Sequence, residues 1–166
     1  MFRSNRLGRT LQAILYVDDI LYAAKNENEL LDFEKELKKH FNISSTTEVN
    51  NYVGFQVTTD NKLKLTLEKF IKSTSEKFRV DSMKEKDVPM FRGTPLNLDS
   101  PPLKDIRKYQ SLVGVLQYCV QVCRPDVSYP TNFLSRQSQK PSLQHYKYAR
   151  NVLKYLFDTR EKGLIF

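Results

Sequence analysis

The residues best suited to chemistry are two adjacent carboxylates, Asp18 and Asp19, which lie between two short apolar runs. The runs Leu11 to Leu15 and Ile20 to Ala24 predict two strands, the first of them buried, joined by a tight turn at Tyr16 to Asp19. Two negative charges beside apolar strands are costly unless a cation compensates them. In phosphoryl transfer, carboxylates hold two Mg²⁺ ions about 4 Å apart, which stabilise the attacking and leaving oxygens. The pair is therefore a candidate metal site, and the ordinary alternative is a solvated Asp-Asp turn.

The tetrad Tyr16 to Asp19 resembles the third catalytic motif of reverse transcriptases, Tyr-x-Asp-Asp in a strand-turn-strand. With its flanking residues it is similar to the form found in Copia-type (Pseudoviridae) long-terminal-repeat retrotransposons. The resemblance spans nearly the whole chain, and the combination of motifs is more specific than any one of them. Further stretches follow in the order and approximate spacing of that family: Tyr52 to Phe55, Leu65 to Ile71, Phe78 to Met83, Gly93 to Pro95, Tyr109 to Tyr118, Arg124 to Val127, Leu134 to Arg136 and Val152 to Leu156.

The resemblance implies an α+β fold, in which part of a reverse-transcriptase palm, made of β-hairpins with one helix, precedes a helical thumb or connection. Residues 1–83 would be the partial palm and residues 105–166 the thumb or connection. Residues 84–104, rich in proline, would link them. The implied function is that of an RNA-directed DNA polymerase, with Mg²⁺ or Mn²⁺ as cofactor and an RNA/DNA primer-template as partner. The implied location is the cytoplasm, in virus-like particles, or the nucleus.

The same resemblance assigns roles to individual residues. Asp18 and Asp19 would be the catalytic metal ligands, and Tyr16 would lie beside the nucleotide or the primer end. Residues 51–58 and 62–67 predict a hairpin at the place where reverse transcriptases grip the primer, although an amphipathic hairpin that covers a core is also consistent with the pattern. Four residues are assigned to nucleotide or primer binding in this way: Tyr52, Gly54, Lys62 and Lys64.

In this family the catalytic centre also needs an aspartate from an earlier strand and a second motif that holds the nucleotide, yet only 17 residues precede Asp18. We therefore expect a fragment whose two aspartates hold one metal weakly and which is inactive alone. The missing fingers-palm half and the RNase H portion of a Pol polyprotein are its candidate partners. Two alternatives stay open, a non-catalytic nucleic-acid-binding module and a decayed transposon product without function.

The net charge of +8 is unevenly distributed. Residues 11–60 hold four lysines and nine acidic residues, a net charge of −5, whereas residues 61–166 hold twenty basic and ten acidic residues, a net charge of +10. A basic surface favours nucleic acid in a salt-dependent way, because each neutralised phosphate releases counterions. Lys147, Arg150 and Lys154 recur at helical spacing and are predicted to follow a phosphate backbone, although a solvated face would have the same spacing.

Apolar spacing of three and four residues predicts helices over Asn26 to Phe41, over Ile106 to Cys123 and after a Ser142 cap. Cys119 and Cys123 are either half of a metal site or, as we favour, reduced core thiols, because no matching ligand pair follows at a suitable spacing. The chain has no apolar run of 18 residues and no signal peptide, so no membrane partner is expected.

Overall fold

The computed structural model of the chain describes residues 2–3, 11–45, 49–59, 62–90 and 100–166. It divides into two compact units, Met1–Val53 and Gly54–Phe166. Each unit contains strands and helices, and the strands form small antiparallel sheets, so the predicted α+β class is confirmed. The assignment of residues 1–83, 84–104 and 105–166 to palm, linker and thumb stays a prediction, and residues 91–99 of the linker lie outside the described residues.

The described residues of the first unit form an antiparallel sheet, one helix and a short final strand. The helix begins after Asn26 and ends at Phe41, whose backbone N–H donates to the carbonyl oxygen of Leu37 at 2.9 Å, so the predicted helix is confirmed. In the sheet, β2 pairs with both β1 and β3. The bounds are β1 (Phe2–Arg3), β2 (Gln12–Tyr16), β3 (Asp19–Ala23), α1 (Glu27–His40) and β4 (Asn51–Tyr52).

The described side chains of the first unit are all partly or fully exposed. Tyr22 on β3 meets Phe33 on α1 edge to face, with ring centroids 5.2 Å apart. Ile14 and Leu15 are 44% and 54% exposed. The predicted burial of the first strand is therefore wrong, because the described part of this unit offers one helix to a sheet that has two faces.

The second unit begins with a small sheet, in which β6 lies between β5 and β7. The predicted hairpin is confirmed by the pairing of Thr58 with Lys64, although its tip at residues 60–61 is outside the described residues. One predicted strand, residues 51–58, is instead interrupted by a turn, because Val53 and Gly54 take positive φ values of 47° and 87°. The strands are β5 (Phe55–Thr58), β6 (Lys64–Thr66) and β7 (Leu164–Ile165).

Four α-helices and a short 3₁₀ turn are the other elements in the described part of this unit. The Asp105 side chain caps one helix by accepting from the N–H of Lys108 at 3.0 Å. Ser142 and His145 form a reciprocal capping box, so the predicted Ser142 cap is confirmed. The bounds are α2 (Glu68–Lys77), α3 (Ile106–Val122), a 3₁₀ turn (Pro125–Val127), α4 (Ser128–Ser135) and α5 (Leu143–Asp158). No helix in the described parts of the chain is long and apolar enough to cross a membrane.

One apolar core joins α2, α3, α4 and α5. Cys119 and Cys123 are buried in it as free thiols, which confirms the core interpretation. Burial raises the pKa of Cys119 to about 12, so the thiol stays protonated at neutral pH. The fully buried apolar side chains are Leu67, Ile71, Val80, Tyr109, Leu112, Leu116, Cys119, Val127, Leu134, Ala149, Val152, Leu153 and Leu156.

A buried arginine joins the ends of α3 and α5. Arg124 is 1% exposed and donates to both carboxylate oxygens of Asp126, at 3.0 and 2.8 Å. Its other donors reach the carbonyl oxygen and the hydroxyl of Thr159, at 2.9 and 2.6 Å. The Tyr155 hydroxyl donates to Asp126 at 3.0 Å. The guanidinium is thus paired and hydrogen-bonded, which burial of a charge requires.

Substitution by alanine should change the free energy of unfolding in opposite directions at Gly114 and at Gly163. Gly114 lies inside α3, and an added Cβ would meet no atom within 4 Å, so Gly114→Ala should raise the free energy of unfolding by about 0.5–1 kcal/mol. A Cβ on Gly163 would lie 1.9 Å from the carbonyl oxygen of Leu65, so Gly163→Ala should lower it by about 1–3 kcal/mol. Urea denaturation measures both changes, and equal responses would contradict the structure.

The Arg124 and Asp126 pair predicts a pH dependence of stability. Burial alone would raise the pKa of Asp126, but the hydrogen bonds and charge of Arg124 outweigh it and hold this pKa below the ordinary value of 3.8. Stability from this pair is therefore complete above about pH 4 and is lost as the pH falls through the lowered pKa. Asp126→Asn should lower the free energy of unfolding at pH 7 by about 2 kcal/mol, less than for a fully buried pair because the Asp126 side chain is 37% exposed.

Denaturant titrations between about pH 2 and pH 7 check this prediction. The parent should lose stability below about pH 4, and the profile of Asp126→Asn should be flatter there. Asp87→Asn is the control, because Asp87 is exposed and distant in sequence from the pair, and this variant should keep the parental profile. An Asp126→Asn profile that parallels the parental one would contradict the prediction.

Candidate metal and primer site

The two aspartates lie at the tip of a β-hairpin whose turn consists of two residues. Strands β2 and β3 pair in antiparallel register, with Leu15 opposite Ile20 and Tyr16 opposite Asp19. Val17 and Asp18 form the turn between them. The hairpin predicted from the sequence is therefore confirmed, and it places the carboxylates of Asp18 and Asp19 on consecutive residues at its end.

Val17 lies at a turn position whose backbone conformation is unusual for a valine. Val17 has a φ of +50°, and Asp18 does not share a positive value. A positive φ at the first central residue alone defines a type II′ turn, which favours glycine at that position. A β-branched residue there costs about 1–2 kcal/mol. The hairpin thus keeps a strained valine beside the two carboxylates, and the sequence pattern gave no sign of this strain.

The tip is open to solvent. Tyr16 and Val17 are 56% and 78% exposed, and Asp18 and Asp19 are exposed as well. Carboxylate oxygens are the ligands that Mg²⁺ and Mn²⁺ prefer, so the donor set suits these ions. No group of three or more His, Cys, Asp or Glu residues in the described ranges could hold a metal ion. Asp18 and Asp19 can therefore offer two protein ligands, and a complete site needs further ones.

The residues assigned to primer binding flank two turns. Tyr52 is half-buried at the end of β4, and Gly54 follows in the turn with its φ of +87°. An added Cβ on Gly54 would lie 2.9 Å from the Tyr118 hydroxyl oxygen. This close approach explains why the position holds glycine, whether or not a ligand binds there. Lys62 is exposed just before β6, whereas Lys64 lies within β6 and is half-buried between its partners Thr58 and Ile165.

The three cations predicted to form a row on α5, Lys147, Arg150 and Lys154, are not all free of protein partners. Lys147 is exposed, but Arg150 donates from Nη2 to the carbonyl oxygen of Arg79 at 2.6 Å. Lys154 is 3% exposed, and its Nζ lies 2.7 Å from a carboxylate oxygen of Asp158 and 3.1 Å from the carbonyl oxygen of Asp81. The prediction that all three cations are exposed is therefore wrong for Lys154. A role of Lys154 in binding a phosphate backbone stays a prediction, and the contacts of its side chain do not support it.

The structure brings Tyr16, Asp18 and Asp19 together on one hairpin of the first unit. The other assigned residues lie elsewhere: Tyr52 on β4 of that unit, and Gly54, Lys62, Lys64, Lys147, Arg150 and Lys154 in the second unit. The sequence interpretation missed the partner of Lys154, although Asp158 stands four residues further along the same helix, where side chains meet.

A comparison with protein-family models shows to which family the chain with this hairpin belongs. The model described as "Reverse transcriptase (RNA-dependent DNA polymerase)" matches residues 2–92, more than half of the chain. The chain belongs to the reverse transcriptase family. The match includes the hairpin with Asp18 and Asp19, so the resemblance drawn from the tetrad is confirmed.

Curated relatives place this reverse transcriptase sequence among Copia-type retrotransposons. It is 35% identical over 166 residues to the putative transposon Ty5-1 protein of Saccharomyces cerevisiae, 27% over 163 residues to the retrovirus-related Pol polyprotein from transposon TNT 1-94 of Nicotiana tabacum, and 28% over 153 residues to that from transposon RE1 of Arabidopsis thaliana. These alignments cover 98%, 92% and 91% of the chain, but 54%, 12% and 10% of the relatives. No solved structure matches the chain.

The strained turn predicts a stabilising substitution in the reverse transcriptase hairpin. Val17→Gly should remove the steric cost of the positive φ, partly offset by the greater freedom of glycine in the unfolded chain, for a net gain of about 1 kcal/mol. Hydrogen exchange of the β2 and β3 amides should therefore slow by about fivefold. Val17→Ala is the matched control, because alanine keeps the Cβ that creates the strain. Equal protection in both variants would refute the type II′ assignment.

Proposed function

We propose that this chain contributes the Tyr-Val-Asp-Asp hairpin of an RNA-directed DNA polymerase, with Asp18 and Asp19 as ligands of Mg²⁺ or Mn²⁺. The observation that carries the proposal is the exposed tip, where two consecutive carboxylates stand at the end of a hairpin in a chain of the reverse transcriptase family. A divalent ion bound there would stabilise negative charge on the reacting oxygens in nucleotidyl transfer.

The other assigned residues have separate roles in this proposal. Tyr16 is exposed beside the pair, so its ring is available to the nucleotide or the primer end. Lys62, exposed before β6, is the better candidate for a primer phosphate, and half-buried Lys64 the poorer one. In this proposal residues 1–83 belong to the palm, residues 84–104 to a linker, and residues 105–166 to a thumb or connection.

Two carboxylates do not make the two-metal clamp that phosphoryl transfer uses. No third ligand stands with Asp18 and Asp19 among the described residues. The proposal therefore includes a second part, that the 166-residue chain does not extend primers on its own. Another portion of a Pol polyprotein would supply the remaining carboxylate and the nucleotide pocket, and an RNA/DNA primer-template would be the shared substrate.

A second candidate function is nucleic-acid binding without catalysis. The observation that favours it is the charge distribution, because residues 61–166 carry a net charge of +10 and none of the assigned metal ligands. Binding through lysines and arginines needs no divalent ion and weakens steeply with salt. The two functions are compatible, since a polymerase also has to hold its primer-template.

Metal binding at the tip is tested with Mn²⁺, whose unpaired electrons broaden nearby NMR signals. The amide signals of residues 17–19 should broaden first, with an apparent Kd of about 1 mM or weaker because the protein offers two ligands. Asp18→Asn with Asp19→Asn should abolish this broadening. The control variant combines Glu27→Gln and Asp32→Asn on α1, which removes the same charge from the same unit and should leave the broadening unchanged.

Primer extension with Mg²⁺ and deoxynucleotides tests the second part, and no extension by the chain alone is expected. Broadening that begins elsewhere, or that survives loss of both aspartates, would refute the metal assignment. If the chain alone extended primers and Asp18→Asn abolished this extension, the metal assignment would stand. The predicted inactivity of the isolated chain would then be refuted.

A further inference from the structure

The first turn of α5 contains a histidine whose two ring nitrogens have different surroundings. Nδ1 of His145 accepts from the backbone N–H of Ser142 at 2.9 Å, and the Ser142 hydroxyl oxygen lies 2.8 Å from the same nitrogen. Nε2 is buried and has no hydrogen-bond partner among the described residues. Because a backbone N–H can only donate, Nδ1 keeps its lone pair and the proton of the neutral ring is on Nε2.

The protonated form of His145 does not fit this position. A proton on Nδ1 would face the N–H of Ser142 at 2.9 Å, and although the serine hydroxyl can turn away, the backbone N–H cannot. The added charge would also lie in the first turn of α5, where the helix dipole disfavours a cation. Burial, which penalises the charged ring, lowers the pKa of His145 below its ordinary value of 6.5. The capped start of α5 therefore requires the neutral ring.

The charged groups near the start of α5 do not offset these costs. The neighbouring segments are residues 100–105, the first turns of α3 and the residues between α4 and α5. Their one carboxylate, Asp105, is engaged as the cap of α3. In the described ranges, His145 forms no ion pair with a carboxylate. The other charged residues of these segments and of the first turns of α5 are cations: Lys104, Arg107, Lys108, Arg136, Lys140, Lys147 and Arg150. The tyrosines Tyr109, Tyr146 and Tyr148 are the remaining titratable groups there.

The residue that His145 contacts also belongs to a bridge between two segments. Residues 101–103 pair with residues 141–143 as a short antiparallel bridge centred on Ser142. The N–H groups of Leu103 and Leu143 donate across it, each at 2.9 Å to a carbonyl oxygen. Since Ser142 takes part in both the cap and the bridge, loss of the cap would weaken the attachment of residues 101–103.

We propose that His145 is a pH-sensitive switch: its neutral ring keeps residues 101–103 bound to residues 141–143, and its protonation opens this bridge locally. In the opened state the ring is solvated and gains a proton near pH 6.5, whereas in the bound state it does so at a lower pH. The bridge is therefore fully stable above about pH 6.5, and opening becomes more frequent as the pH falls, by at most about tenfold for each pH unit.

The switch acts on the segment that leads into α3, which begins at Ile106. In the proposed domain assignment, residues 101–103 are the end of the linker, so the pH would control how firmly the linker is attached to the helical part. This consequence rests on the proposed function, whereas the switch itself rests on the contacts of Ser142 and His145.

Hydrogen exchange of the Leu103 and Leu143 amides in the full chain tests the proposal, because both N–H groups donate across the bridge. Protection is measured between about pH 7.5 and about pH 5.5, above the range in which carboxylates titrate, and is corrected for the intrinsic exchange rate at each pH. In the parent, the protection of both amides should fall by about fivefold over this range. It should also stay below that of the Leu116 amide in the core, because the opening is local.

Two variants identify the titrating group. His145→Gln keeps a side chain that can accept from the N–H of Ser142, as glutamine does in a capping box, but this side chain does not titrate. Its protection should therefore not change with pH over the same range. The control is His40→Gln, which removes the other histidine of the chain at the exposed end of α1 and should keep the parental pH dependence.

An equal fall in protection in the parent and in His145→Gln would overturn the proposal, because another group would then titrate. Protection of Leu103 and Leu143 equal to that of Leu116 would also overturn it, since the bridge would then open only when the whole unit unfolds. Nitrogen-15 NMR of the imidazole ring is a second measurement that does not depend on any variant. At about pH 7.5 it should show Nδ1 unprotonated and Nε2 protonated, and the opposite tautomer would contradict the proposed contact. None of these measurements involves metal or nucleic acid, so this proposal and the proposed function fail independently.

Discussion

The second unit depends on the burial of one charged group, the Arg124 guanidinium. A charge in an apolar core is tolerated when its donors are satisfied, and Arg124 meets this condition with Asp126 and Thr159. Arg124 follows the end of α3, and Thr159 directly follows α5, so one side chain fixes the C-terminal ends of two helices. Cations at helix C-termini also interact favourably with the helix dipole. The core residues between α3 and α5 thus pack between helices whose C-terminal ends are joined by Arg124.

A second buried cation extends the same arrangement. Lys154 pairs with Asp158 near the end of α5, and Asp158 also accepts from the N–H of Lys86 at 2.9 Å. The segment that follows α2 is thereby held against α5. The first unit has no comparable anchor among its described residues, where every side chain retains some exposure. The chain therefore combines a well-packed helical unit with an open hairpin unit that presents the Asp18 and Asp19 carboxylates.

Much of this organisation follows from the sequence, since apolar spacing and capping residues located α1, α3 and α5. The turn at Asp18 and Asp19 was equally clear, because polar residues interrupt two apolar runs. Periodicity indicates which face of an element is apolar, but not whether a neighbour covers it, so the exposure of Ile14 and Leu15 was missed. The burial of Lys154 depends partly on the carbonyl of Asp81, 73 residues away, which no local pattern reveals.

Strand β7 pairs with β6 through Lys64 and Ile165, about a hundred residues apart in sequence. A contact of this span closes a long loop, and loop closure of this kind slows folding. During synthesis the hairpin strand β6 would emerge long before its outer partner. Its free edge would stay open to pairing with other strands throughout that interval. We therefore expect the edge of β6 to be protected from pairing with other chains only after Leu164 and Ile165 have been synthesised.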